Sequence, residues 1–457
     1  MNKRQFLKGT GSILTGTMLS RFVSAAEQTT EQAAHQSAPR TNWAGNLTFH
    51  TDTLYQPKTT EEVQHIVKSC DKLRALGRGH SFNTIADSTH AQISLKQLDS
   101  IDIDAKAHTA TVGAGVTYGK LAPIIDAQGF AVPNLASLPH VSVIGACATA
   151  THGSGSNNGN LATIVSGLEL VTADGTLHTL SRAKDGDQFL GQVVNLGGLG
   201  VVTKTTLDLQ PTFQVAQVVY ENLSFSQLEK HLDEIFLSGY SVSLFTTWQN
   251  HQANQVWVKR RLDPGAPSVP FAPEFFGAKQ ATQKLHPVPG HAAESCTEQL
   301  GVPGPWYERL PHFKLNFTPS SGAEIQTEYF VPREHAYEAI LAVEQLHDQI
   351  TPHLFITELR TIAADNLWLS MAYQRPSLAI HFTWKPEWDA VQQILPLIEE
   401  KLAPFNPRPH WAKVFTLPPA KIQHQYAKMS DYQALLKRHD PQGKFRNQFL
   451  DTNIFRS

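Results

Sequence analysis

Val63, Ile66, Val67 and Cys70 recur at helical spacing just after Thr59 and Glu62, which stand three apart as in a capping box, so this stretch predicts a buried helix. Leu73 to Leu76 is short enough for a strand and runs into Gly77-Arg78-Gly79-His80-Ser81, a loop whose glycines permit backbone N–H groups to approach an anion. Ser100 to Asp104 and Thr109 to Val112 read as strands. Thr117 to Gln128 reads as a helix with a Thr cap and Gly129 at its end. A Gly-, Ser-, Thr- and Asn-rich stretch from Gly145 to Asn160 looks like a second backbone cradle, and strands follow at Gly167 to Val171, Thr176 to Leu180 and Val201 to Leu209. Gln210-Pro211 marks a boundary. Beyond it come a helix from Phe225 to Ser238, strands at Val242 to Trp248 and Val256 to Arg261, and a Pro-rich insertion from Pro264 to Pro319. A strand from Glu324 to Val331, a helix near Glu334 to His347 and strand signals around Leu354, Leu378 and Trp411 follow. The pattern predicts an α+β protein whose second half is an antiparallel sheet with helices on one side.

Composition narrows the function classes. At 457 residues with 41% hydrophobic and 17% charged positions, the chain can bury a large core and divide into two or three domains. A net charge of -2 supplies no field for a polyanion, so nucleic acid is not an expected partner. Cys70, Cys147 and Cys296 are too few and too scattered for a disulfide framework or a zinc site; they are expected to be free, with one bridge as the alternative in an oxidising compartment. The histidines form no HExxH pattern, and no metal is expected. Gly113 to Gly119 has GxGxxxG spacing, which is not the dinucleotide fingerprint.

Asn2-Lys3-Arg4-Gln5-Phe6-Leu7-Lys8, a weakly apolar stretch and Val23-Ser24-Ala25-Ala26 resemble a twin-arginine export signal over residues 1–26, although Lys3 replaces the first arginine and Arg21 interrupts the apolar run. A linker, 27–41, follows. The expected location is periplasmic or secreted, or cytoplasmic if the signal does not work. No other run has the roughly 18 to 20 apolar residues of a membrane span.

Strand alternation places Glu358 and Arg360 on one face of the Leu354 strand, and His381 and Thr383 together opposite the apolar Leu378, Ile380, Phe382 and Trp384. Read as a strand, His410 to Phe415 sets Lys413 among Trp411 and Phe415. Three strands would then line one polar floor. Taken singly, these are an ion pair, a hydrogen-bonded core histidine and a snorkelling lysine, and none identifies a function.

Asn42-Trp-Ala-Gly-Asn46, Gly77-Arg-Gly-His-Ser-Phe-Asn83, Ala136-Ser-Leu-Pro-His-Val-Ser-Val143, Ala150-Thr-His-Gly-Ser-Gly155, Glu358-Leu-Arg-Thr361 and Asp440-Pro-Gln-Gly-Lys-Phe-Arg-Asn447 together resemble the alditol oxidases. That family belongs to the vanillyl-alcohol-oxidase type of flavoproteins, with aldonolactone oxidases and dehydrogenases as near relatives and as the alternative activity. The resemblance runs from about Asn42 to the C-terminus. It implies a two-domain α+β fold: an FAD-binding domain at 42–211, a substrate domain at 212–412 and a C-terminal return at 413–457. It implies FAD held by a single covalent link at His80, since Cys147 is not where a second link would fall. Cofactor contacts carry over to Gly77, Arg78, Gly79, Ser81 and Ser137, to Ser142, Val143, Gly145, Ala146 and Thr149, and to His152 and Gly153. Substrate contacts carry over to Ser137, Glu358, Arg360, Thr383 and Lys413, and the catalytic set to Arg360, Lys413, His381 and Glu358. The implied reaction is oxidation of a terminal alcohol of a polyol by a monomeric enzyme, with O2 as electron acceptor and H2O2 as product.

Overall fold

Two antiparallel sheets organise the chain, and the computed structural model describes them through residues 39–263, 265, 270–316 and 323–456. The export-signal reading and most of the linker lie outside the described residues. Pro39 to Ser457 form one compact unit.

The first half opens with helix α1 (Thr60–Ser69), where Thr59 Oγ1 accepts from Glu62 N–H and Glu62 in turn accepts from Lys58 N–H. Val63 and Val67 are its fully buried face. It is followed by a small three-stranded parallel sheet in which Arg74–Leu76 sits at one edge and leads into the Gly77–Ser81 loop. Strands β1 (Ile101–Asp104) and β2 (Thr109–Gly113), helix α2 (Tyr118–Asp126) and the short helix α3 (Val143–Ala148) come next. Then come β3 (Val165–Val171), β4 (Leu177–Ser181), helix α4 (Arg182–Val193) and β5 (Val201–Asp208). The five strands lie in the order β1-β2-β5-β3-β4.

The larger sheet is built from β6 (Gln214–Ser224), β7 (Ser241–Thr246), β8 (Gln252–Leu262), β9 (Ile325–Pro332), β10 (Leu354–Ile362), β11 (Ser377–Trp384) and the two-residue β12 (Arg408–Pro409). Its long strands run in the order β6-β8-β7-β10-β11-β9-β12, extended beyond β6 by short strands of the Pro-rich insertion. Helices α5 (Phe225–Leu237), α6 (Ala336–Glu344) and α7 (Trp388–Leu402) accompany it. Alternation sorts its faces: Leu244, Val256, Tyr329, Leu359 and Ile380 are buried in the main apolar core, as are Phe382 and Trp384. The indole N–H groups of Trp384 and Trp248 donate to Thr327 and Thr357, so neither buried ring leaves a donor unpaired. All three cysteines are free and buried.

One expected strand is absent. Of the stretch around Trp411, Arg408–Pro409 forms a two-residue strand against β9 at Phe330 and Tyr329 and the N–H groups of His410 and Val414 donate to Glu328 O and Gln326 O, but between them Lys413 N–H donates to His410 O in a turn. Lys413 is therefore delivered by a turn at the sheet edge rather than by strand alternation. Regular elements that the apolar pattern did not reveal include β6, α4, α7 and the helix Met429–His439.

Candidate active site

Register across the large sheet decides which polar groups meet. Glu328 on β9 is opposite His381 on β11, and His381 is opposite Glu358 on β10, so the three form one row across adjacent strands. Arg360 stands two residues beyond Glu358 on the same face. Arg360 Nη2 donates to Glu328 Oε1 at 2.9 Å, and Lys413 Nζ donates to Glu328 Oε2 at 2.7 Å. Arg360 Nε also lies 3.6 Å from Glu358 Oε1, and Arg360 Nη1 reaches Ser137 Oγ at 3.4 Å. Two cations and two carboxylates thus balance one another in a buried site.

Their protonation follows from that balance. Burial alone would raise Glu328, but Lys413, His152 and Arg360 outweigh it and hold the carboxyl well below its usual range. Glu358 is likewise held low against burial by Arg360 and His312. Burial pulls Lys413 downward, opposed by Glu328. His381 is brought down to about 4 by burial and by the neighbouring Lys413, so its imidazole is neutral near pH 7. Its Nδ1 lies 3.8 Å from Glu358 Oε2, while Nε2 is buried without a hydrogen-bond partner. A neutral imidazole with an unengaged nitrogen in a cavity wall keeps a lone pair free to meet a hydroxyl.

The cavity is a long cleft, partly open to solvent. One end is walled by Glu328, Arg360, His381 and Lys413 with Ser137 and Gln326. The other runs along Gly77 to Phe82, Ser142, Gly145, Ala146 and Thr149 to Asn195 and Gly197. Close backbone approach explains the glycines there: a Cβ on Gly77 would come within 3.0 Å of Ser142 Oγ, and one on Gly145 within 2.6 Å. In the Gly77–Ser81 loop the carbonyls of Gly79 and Ser81 accept from Trp43 N–H and the Asn42 amide, and Gly79 has φ +74°. The loop is thereby fixed by the Asn42 segment, and Trp43 stacks on His80 at 4.8 Å. Burial, with His140 and Arg78 nearby, lowers His80 to about 4, leaving its ring neutral. A Gly-rich cleft of this length, lined by backbone and by hydroxyls, fits FAD.

Not every expected residue reaches this cavity. Val143 is fully buried in the core, with its N–H donating to Val116 O. Gly153 packs against Asn134 and Leu135. Glu358 stands behind Arg360 and His381, and Thr383 lies next along the His381 face opposite Gln326; neither is in the cavity wall. Conversely, the sequence reading missed Glu328, Gln326, His312 and His410. Alternation in the expected Glu324 to Val331 strand could have found Glu328, a charge within an apolar run. His312 lies in the irregular insertion, where no periodicity marks it. His152, Glu328 and His410 bring possible metal-ligand atoms within 4.8 Å of one another. Yet both Glu328 oxygens already accept from Arg360 and Lys413, whose charges oppose a metal ion there.

Comparison with known proteins agrees with this geometry. Residues 51–181 match the FAD binding domain family, and residues 321–453 match the D-arabinono-1,4-lactone oxidase family. The chain is 47% identical over 415 residues to an alditol oxidase of a Streptomyces species, covering 90% of this chain and 97% of that one. It is 27% identical to L-gulono-1,4-lactone dehydrogenase of Mycobacterium tuberculosis over 89% of this chain and 97% of the relative. L-Gulonolactone oxidase of Mus musculus is 25% identical over 90% and 97%. The solved structure of cholesterol oxidase from B. sterolicum superposes with a TM-score of 0.71 over 91% of this chain and 96% of that chain, at 14% identity, and so shares the fold. The chain belongs to the alditol oxidase family of FAD-dependent oxidoreductases.

Proposed function

We propose that the protein oxidises the terminal primary alcohol of an alditol such as xylitol or sorbitol to the aldose, with FAD as cofactor and O2 reduced to H2O2. The observation that carries the reading is the convergence of Arg360, Lys413 and the unengaged His381 Nε2 on one end of a cleft that continues along the Gly77–Ser81 loop and Ser142 to Thr149. Arg78 to Ser81, Ser137, Ser142, Gly145, Ala146 and Thr149 hold the cofactor, and His80 carries a single covalent link. His152 ties the cofactor side to the sheet, with Nε2 3.1 Å from Glu328 Oε1. Bound FAD supplies a hydride acceptor at N5.

His381 Nε2 takes the hydroxyl proton, and Arg360 and Lys413 stabilise the charge that develops on that oxygen. Glu358 orients Arg360 from behind the wall, and Ser137, which does line the cavity, binds a further hydroxyl. Residues 42–211 with 413–457 form the FAD domain and 212–412 the substrate domain of a monomer. Residues 1–26 direct export. No described helix is long and apolar enough to cross a membrane.

Oxygen uptake and peroxide release with xylitol, sorbitol and L-gulono-1,4-lactone test the activity; turnover of the alditols supports it, and turnover of the lactone alone replaces it with the second reading. That second reading draws on the lactone oxidase family match across both Glu358 and Lys413. Yellow colour retained after acid precipitation, and lost in His80→Ala, tests the link.

A further inference from the structure

Lys259 on β8 takes no part in the steps above, yet it is 1% exposed. Its Nζ faces three acceptors: Leu310 O at 2.5 Å, Pro311 O at 3.2 Å and His312 Nδ1 at 3.3 Å. His312 Nε2 lies 2.7 Å from Glu358 Oε1, and Glu358 Oε2 lies 3.8 Å from His381 Nδ1. These side chains form a buried line from Lys259 to the cavity wall, where His381 Nε2 has no partner.

The line has a direction. Carbonyl oxygens only accept, so two of the three ammonium hydrogens are committed to Leu310 and Pro311. The third goes to His312 Nδ1, which sets the His312 hydrogen on Nε2, where it donates to Glu358 Oε1. With Oε1 engaged, Oε2 is left to face His381 Nδ1–H, and the His381 lone pair is then on Nε2, the state a proton acceptor needs. Deprotonation of Lys259 leaves an amine whose two hydrogens are both committed and whose lone pair meets His312 Nδ1. A hydrogen on Nδ1 is then favoured, and Glu358 Oε1 loses its donor.

We infer that Lys259, acting through His312, is a positioning residue that holds Glu358 and fixes the tautomer of His381. The inference rests on His381 being the proton acceptor of the proposed reaction. The groups around Lys259 are Glu358 and Arg360 of β10, His312, and Cys296, whose thiol burial pushes up to about 12. Gln217 and Ser241 flank it on the adjoining strands, and the Trp257 ring is 6.0 Å from Nζ. Burial brings Lys259 down to about 7 despite the opposing pull of Glu358, so the change occurs near neutrality.

Nitrogen-15 histidine NMR of the oxidised holoenzyme tests the arm without substrate. The His312 signal, assigned through His312→Gln, should show hydrogen on Nε2 and a step near neutral pH that Lys259→Met abolishes. In stopped-flow reduction by xylitol, Lys259→Met should lower the limiting rate about tenfold while KM changes less than about twofold, and remove the decline in rate above neutrality. His312→Gln offers both an acceptor for Lys259 and a donor for Glu358 and should stay within about threefold of the parent rate, whereas His312→Leu should fall as Lys259→Met does. If Lys259→Met does not accumulate, the two His312 variants decide. Hydrogen on His312 Nδ1, or an unchanged rate and pH profile in Lys259→Met, overturns the inference. Failure of xylitol to reduce the parent enzyme overturns the alditol reading instead, and the NMR result still decides whether the arm exists.

Discussion

Glu328 carries more of the site than any residue expected from the sequence, because one carboxylate accepts from Arg360 and Lys413 and also meets His152. Removing one partner of a buried ion pair leaves uncompensated charge and costs about 3–5 kcal/mol. Glu328→Ala should therefore lower the urea midpoint by a corresponding amount, and a midpoint within error of the parent would contradict this. Acid stability follows from the same groups. Glu328 and Glu358 are held below the usual carboxylate range, so their contribution is present above the unfolded value and is lost as pH falls through the folded one. His381 stays neutral in the fold to about 4, whereas an unfolded histidine binds a proton from about 6.5 downward, so its contribution declines over that interval. Melting temperature should thus fall from pH 6.5 toward 4 and drop further below; a flat profile between pH 7 and 4 would rule out this set of protonation states.

At the scale of elements, cap chemistry was readable and sheet edges were not. Thr117 accepts from Lys120 N–H at the start of α2, as the Thr cap predicted. Thr117→Ala should cost about 1 kcal/mol, measured by denaturant unfolding, with no change in kcat. Alternation likewise assigned Glu358 and Arg360 to one face. It failed for β6, where Val215, Ala216, Val218, Val219 and Tyr220 are all buried and no period of two survives. It failed for α4 because Gly186 breaks the helical backbone with φ +55° and polar residues dilute the apolar stripe. It overreached at Lys413, since the aromatic neighbours Trp411 and Phe415 imitate a strand where the chain turns. Pairing across strands is a long-range property, so the row Glu328-His381-Glu358 could be seen only once register was known.

At the scale of the molecule, the C-terminal segment is sewn to the strand and loop around Arg74 to Asp87. Asn447 Nδ2 donates to the carbonyls of Thr84, Ile85 and Asp87, and Arg74 donates to Phe445 O, Leu196 O and Gly197 O. This junction borders the cofactor end of the cavity, whose lining includes Arg74, Ile85 and Leu196. Asn447→Ala takes away the donor to Asp87 O, while Ile85 O keeps Arg74 and Thr84 O keeps Asp87 N–H, at about 1–3 kcal/mol. It should reduce flavin content per chain, read from the absorbance ratio; full loading would argue against a coupling between the junction and the cofactor. Active-site activity per bound flavin should remain.

Reduction of the flavin by an alditol at the sheet end of that cavity is the event on which the proposed activity turns. The most direct measurement is anaerobic mixing of the purified yellow protein with xylitol, sorbitol and an aldonolactone while flavin absorbance is followed, and then admission of air. Rapid bleaching by the alditols, slow or absent bleaching by the lactone, and recovery of colour in air with release of H2O2 are the predicted result. Bleaching by the lactone alone, or none by the alditols, would contradict it.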